Sequence, residues 1–171
     1  DNTSGSGIDN QADFSNAATA NINIGQNGGN IGEDGIDNRG SAATFTNSGT
    51  IAIDNTSSSG IDNEGDFSNV VNATLDIGQN DGNIGGIGIF NQATFTNSSI
   101  INVDNTFRGI TNTGQFDNAA NAHLNIGQNS GNIDVDGIFN SGSSSSFRNN
   151  GTIVIDNTSS NGIRNRGDFS N

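Results

Sequence analysis

Three aspartates recur at one place in this sequence: Asp9, Asp37 and Asp62 each follow a Gly-Ile pair. Stacked carboxylates repel one another unless a cation intervenes. A calcium ion held by carboxylates and carbonyls is one such cation; Arg39, two residues beyond Asp37, is the other and the preferred one. The segment Gly28-Gly29-Asn30-Ile31-Gly32-Glu33-Asp34 misses the Gly-Gly-x-Gly-x-Asp spacing of calcium nonapeptides, so no cofactor is assigned and calcium stays an alternative at the three Asp. In later copies the same place holds Phe90, Thr111, Phe139 and Arg164. Phe90 and Phe139 are read as an outward-facing aromatic pair, joined by Phe107. Such rings can stack on a sugar or bury themselves against a neighbouring filament, with lateral burial preferred. His123, beside Leu124, has no recurring partner and is read as solvent-facing.

Little else in the chain can do chemistry. It has 171 residues, no Cys, no Lys and one His, so thiol catalysis, thiolate metal sites and Schiff bases are excluded and acid–base options are few. Five Arg against eighteen Asp and Glu give a net charge of −13, which argues against a nucleic-acid partner. No apolar run approaches the roughly 20 residues of a membrane span. Asn and Gly supply 57 residues (32 and 25), Pro is absent, and only 29% is hydrophobic. Low hydrophobicity with high charge would ordinarily mean disorder. Repetition argues otherwise.

Asp-Asn-Thr begins at Asp1, Asp54, Asp104 and Asp156, a period of roughly 52 residues that divides the chain into repeats 1–53, 54–103, 104–155 and a partial 156–171. Each period holds two shorter units. The Ile of their opening Gly-Ile pairs are Ile8, Ile36, Ile61, Ile89, Ile110, Ile138 and Ile163, and two residues later stand Asn10, Asn38, Asn63, Asn91, Asn112, Asn140 and Asn165. A Phe-x-Asn step follows at Phe14, Phe45, Phe67, Phe95, Phe116, Phe147 and Phe169. Six units finish on an apolar-x-apolar step, from Ile22/Ile24 to Ile153/Ile155. All three segments have period 2, the strand signature, and none is long enough for a helix. Gly, Asn, Ser and Asp, with Asn-Gly and Asp-Gly steps at Asn27, Asp34, Asp81, Asp136, Asn150 and Asn161, form the turns between them.

Units of 21–28 residues with three short strands predict an all-β fold, a right-handed parallel β-helix (β-solenoid) of about seven coils in a two-coil repeat. Equivalent strands then pair ~4.8 Å apart, stacking Ile on Ile, Phe on Phe and Asn on Asn. Absent Pro fits, because inner strands must hydrogen-bond on both edges. The corner column Asp1, Gly25, Asp54, Gly78, Asp104, Gly127, Asp156 keeps its carboxylates two coils apart, about one Debye length.

Asn63-Glu64-Gly65-Asp66-Phe67-Ser68-Asn69 and Ser48-Gly49-Thr50-Ile51-Ala52-Ile53 resemble the β-helix repeats of secreted bacterial surface proteins: autotransporter passenger domains, haemagglutinin-like adhesins and repetitive surface filaments. The resemblance runs along the whole chain and implies an extracellular, cell-surface location. Enzymes of these groups cleave acidic polysaccharides with clustered Asp and a catalytic Arg or Lys; here the Arg residues are scattered, and no catalytic residue is assigned. Thr44-Phe45-Thr46 and Thr94-Phe95-Thr96 resemble the Thr arrays of ice-binding solenoids, but Asp13, Asp66 and Arg148 interrupt the array. The expected function is that of a structural filament or stalk, a segment of a longer array that assembles with itself end to end or laterally in adhesion or matrix scaffolding. A glycan-binding adhesin is the alternative, and a polysaccharide-degrading enzyme the next.

Overall fold

The computed structural model describes residues 2–80, 82–128 and 131–171; the expected turn at Asp81 and the corner position of Asp1 lie outside them. Every regular element among the described residues is a β-strand, and strands pair in parallel with their equivalents one coil away. The first sheet has seven strands, Ile8–Asn10, Ile36–Asn38, Ile61–Asn63, Ile84–Asn91, Thr106–Asn112, Ile138–Asn140 and Ile163–Asn165. The second also has seven, Asp13–Asn16, Thr44–Asn47, Asp66–Asn69, Thr94–Asn97, Gln115–Asn118, Ser146–Asn149 and Asp168–Ser170. A third of six contains the apolar steps, from Asn21–Ile24 to Thr152–Ile155. The chain is a parallel β-solenoid.

Side chains sort by the pleat. In the first sheet Ile8 pairs with Ile36, Ile36 with Ile61 and so on to Ile163. In the second, seven Phe from Phe14 to Phe169 stack with ring centroids 4.6–5.3 Å apart and planes within 19° of parallel. That separation is the strand spacing itself, so the backbone sets the aromatic stack. Ile51, Leu75, Ile101 and Leu124 close the interior from the third sheet, fully buried.

A fourth column, not expected from the sequence, completes the cross-section. Thr3, Ile31, Thr56, Ile84, Thr106, Ile133 and Thr158 join by single parallel bridges, and their inner members are buried. It alternates because each odd coil contributes the Ile of Gly-Asn-Ile and each even coil the Thr of Asp-Asn-Thr. In the fourth and fifth coils the corner after it is straightened, merging the column with the first sheet as the longer strands Ile84–Asn91 and Thr106–Asn112; one extra residue in the fourth coil leaves a register shift between Ile84 and Ile87.

Asparagines hold the corners. Nδ2 of Asn10, Asn38, Asn63, Asn91, Asn112 and Asn140 each donates to Oδ1 of the equivalent Asn in the next coil at 2.7–2.8 Å. A second ladder runs the same way from Asn16 through Asn47, Asn69, Asn97, Asn118 and Asn149 to Asn171. The amides also bond the bending backbone: Nδ2 of Asn91 donates to the carbonyls of Ala93 at 3.1 Å and Gln115 at 2.8 Å. Each inner Asn thus adds a side-chain donor to carbonyls at the bend, such as that of Ala93, which also accepts from the Gln115 N–H at 2.7 Å.

The other corner pairs the two unit types. Gly25, Gly78 and Gly127 on odd coils, and Asn55, Asn105 and Asn157 on even coils, all have positive φ. Nδ2 of each Asn donates to the carbonyl of the Gly one coil before, at 2.7 Å. A Cβ on Gly25 would lie 1.8 Å from the Asp54 carbonyl oxygen, so only glycine fits there.

Replacing Asn91 by Ala removes an amide with no exposed surface, leaves Oδ1 of Asn112 without its ladder donor, and takes one donor from the Ala93 and Gln115 carbonyls. A loss of about 1–3 kcal/mol follows for the stranded ladder oxygen. The outward Asn125→Ala change should cost less than about 0.5 kcal/mol. Urea denaturation followed by circular dichroism reads both; equal midpoints would refute the structural weight given to the ladder.

Candidate functional site

The first sheet's outward surface carries the residues singled out for chemistry. Register pairs Asp9 with Asp37, Asp37 with Asp62, Asp62 with Phe90, Phe90 with Thr111, Thr111 with Phe139 and Phe139 with Arg164. The sequence reading of this column is therefore correct in position. Its chemistry differs between the two halves.

In the first half Arg39 is the cation that meets the carboxylates. Its Nε donates to Asp37 Oδ2 at 3.0 Å, its Nη2 contacts the same oxygen, and Nη2 lies 3.9 Å from Asp9. Asp37's hydrogen bond, then the charges of Asp37 and Asp9, raise the guanidinium's pKa above its ordinary value. Gln11 donates to Asp9 at 3.1 Å and Gln92 to Asp62 at 2.9 Å. Among the described residues no group of three or more Asp, Glu or His is gathered closely enough to hold a metal ion. Asp62 is the strained member: burial, above all, raises its pKa, the Gln92 hydrogen bond lowers it, and Asp34, Asp37 and Glu64 add to the rise.

In the second half the expectation of an exposed aromatic pair needs correction. Phe139 is only 9% exposed, and Phe90 is half-buried. Three guanidiniums cover Phe139: Arg164 at 5.0 Å from the ring centroid, Arg108 at 5.2 Å and Arg166 at 5.5 Å. Long arginine stems lie along the sheet while their charged heads reach water, and a ring face attracts a cation. Arg108 also lies 5.1 Å from the ring of Phe107, which remains 44% exposed. Beneath them Asp136, with no exposed surface, accepts from Asn161 Nδ2 at 2.7 Å and lies 3.5 Å from Arg108 Nε and 3.9 Å from Arg164 Nη1.

The remaining candidates do not converge on either half. His123 begins a strand of the third sheet, in register with Ile100 and Thr152, and is exposed. Thr44 and Thr94 lie in an outward column of the second sheet with Asp13, Asp66, Gln115, Ser146 and Asp168, so the threonines are not contiguous. An open hollow of about 690 Å³ lined by Asn149, Ile153, Ile155 and Phe169 covers the end of the stack, over ladder residues rather than over the outward column.

Sequence reading missed one pairing. Gln26 donates to Asp54, Gln79 to Asp104 at 2.7 Å and Gln128 to Asp156 at 2.8 Å, so the Ile-Gly-Gln-Asn of an odd coil caps the Asp-Asn-Thr of the even coil that follows. Asp54 and Asp104 are buried there, at 2% and 1% exposure. The signal was the strict alternation of the two endings.

No family model matches the chain, and neither a curated protein nor a solved structure shows significant similarity to it. Among the described residues no helix is long and apolar enough to cross a membrane.

Asp62 yields a pH prediction. Its folded pKa lies above the unfolded value, so the folded state holds the proton more tightly and stability falls as pH rises through the window between the two. Asp62→Asn should therefore raise the urea midpoint at pH 7, and the gain should vanish as pH falls to about 4, where the unfolded carboxyl titrates. A gain equal at both pH values would show that burial does not strain this carboxylate.

Proposed function

We propose that the chain is a structural element of the extracellular surface, a stiff filament or stalk serving adhesion or matrix scaffolding. The observation that carries this reading is continuity. The same columns of Ile, Phe and Asn pass through every coil, and twin amide ladders lock successive corners at 2.5–2.9 Å. An architecture in which each coil templates the next resists bending and unravelling, since inner strand edges are all occupied. Composition supports the location: five Arg and no Lys offer trypsin few sites, and nothing is present of Cys, Met, Trp or Tyr. A net charge of −13 keeps the surface hydrated. Self-association, end to end or lateral, belongs to the same proposal.

The second reading, a glycan-binding adhesin, rests on Phe107 with Arg108 over its ring. An exposed aromatic beside a cation is a surface a sugar can use.

Electron microscopy of the purified chain, with and without a calcium chelator, tests the structural reading. Elongated particles with an axial repeat near 4.8 Å, unchanged by the chelator, are expected. Particles that fall apart on chelation would transfer the Asp9, Asp37 and Asp62 column to calcium. Loss of glycan binding in a Phe107→Ala variant that still forms rods would favour the adhesin.

A further inference from the structure

Charge along the first sheet's outward face is divided by height. Three adjacent columns define the face. One runs Asp9, Asp37, Asp62, Phe90, Thr111, Phe139, Arg164. Beside it run Gln11, Arg39, Glu64, Gln92, Thr113, Ser141, Arg166, whose backbone N–H groups from Arg39 onward bond the ladder Asn carbonyls one coil before. Along the other edge run Ser6, Asp34, Ser59, Ile87, Arg108, Asp136, Asn161. Coils one to three hold five carboxylates (Asp9, Asp34, Asp37, Asp62, Glu64) against one guanidinium, Arg39. Coils five to seven hold three guanidiniums (Arg108, Arg164, Arg166) against one carboxylate, Asp136, and Asp134 just outside these columns leaves that half positive. Between them, in coil four, stand two half-buried apolar side chains, Ile87 and Phe90.

We infer that this face is a self-complementary docking surface for a second copy of the chain, laid antiparallel. A two-fold axis along the strands of coil four brings coil one of each copy opposite coil seven of the other while each column faces itself. Asp9 then meets Arg164, Gln11 meets Arg166, Ser59 meets Arg108 and Asp62 meets Thr111. Phe90 and Ile87 meet their own copies on the axis, supplying an apolar centre inside a charged surround. Asp34 falls opposite Asp136, whose carboxylate is already covered by Arg108 and Arg164. The parallel alternative sets the carboxylates of coils one to three against one another, and the guanidiniums likewise. Charge complementarity therefore selects both the occupant and the direction. About five residues of width over seven coils, at ~3.3 Å and ~4.8 Å spacing, gives roughly 500 Å² per copy, at the low end of specific interfaces, so the pairing is reversible. With a net charge of −13 on each copy, its strength depends on screening of the remaining charges at contact range. This inference deepens the structural reading and rests on it, because a rigid face is what keeps seven coils in register.

Because the chain has no cysteine, single-cysteine variants report the direction without background. On mild oxidation Gln92→Cys should give a disulfide-linked dimer, while Gln11→Cys, which faces Arg166 in the antiparallel arrangement, and Ser68→Cys on the second sheet should not. Sedimentation velocity at about 150 mM salt should show a monomer–dimer equilibrium. Two charge variants, Asp9→Arg/Asp37→Arg/Asp62→Arg and Arg108→Glu/Arg164→Glu/Arg166→Glu, should each stay monomeric and dimerise when mixed. Circular dichroism confirms that both fold. Dimerisation through Gln11→Cys would overturn the antiparallel register, and a chain monomeric at 0.5 mM protein (roughly the weakest pairing of use here) would overturn the pairing. Dextran sulfate bound by the wild-type monomer and lost in the Arg variant would assign the basic half to an acidic glycan instead. A monomer that still shows the axial repeat leaves the structural reading standing, so the two failures are distinct.

Discussion

Strand spacing of ~4.8 Å between coils is the constraint on which the rest of this structure depends. It makes every side chain the neighbour of its own equivalent, so a column is viable only if its residue tolerates a copy of itself at that distance. Ile and Phe do so by excluding water, and the seven rings from Phe14 to Phe169 show how little adjustment is needed. Asn does so because one amide carries both donor and acceptor. Asp does not. Along the first sheet and at the Asp-Asn-Thr corner the chain adds a device: Arg39 between Asp37 and Asp9, Gln92 on Asp62, or a two-coil separation with a Gln cap at Asp54, Asp104 and Asp156.

The restricted alphabet follows from the same constraint. A residue is selected for how it behaves in a column, not for what it does alone, and the few types that stack well are used repeatedly. The two-coil period is then the shortest one that lets a buried carboxylate be followed by glycine and amide before the next carboxylate. Gly25, in φ and in the 1.8 Å its missing Cβ leaves clear, belongs to the same arrangement as Asp54.

What was legible in the sequence was whatever recurs unchanged. The Ile, Asn and Phe columns, the parallel pairing and the coil length could be read directly, as could the position of Asp9, Asp37, Asp62, Phe90 and Phe139 in one outward column. The Thr/Ile column was not, because two residue types of unlike hydropathy alternate in it and the eye sorts them into different motifs. The Gln–Asp caps were hidden by a sequence separation of 25–28 residues. Burial of Phe139 was hidden differently: period 2 gives the side of the sheet, but the cover comes from Arg108, Arg164 and Arg166 on neighbouring coils, at three different column positions.

Both amide ladders donate in one direction, from each coil to the next toward the C terminus. Backbone dipoles in a sheet largely cancel, but these side-chain dipoles add, and each link polarises its neighbours. The rod is electrically poled along its length. Wherever such a stack is interrupted, one cut surface offers amide hydrogens and the other offers oxygens. Its two ends are therefore chemically unlike, and the stack has a forward and a backward direction.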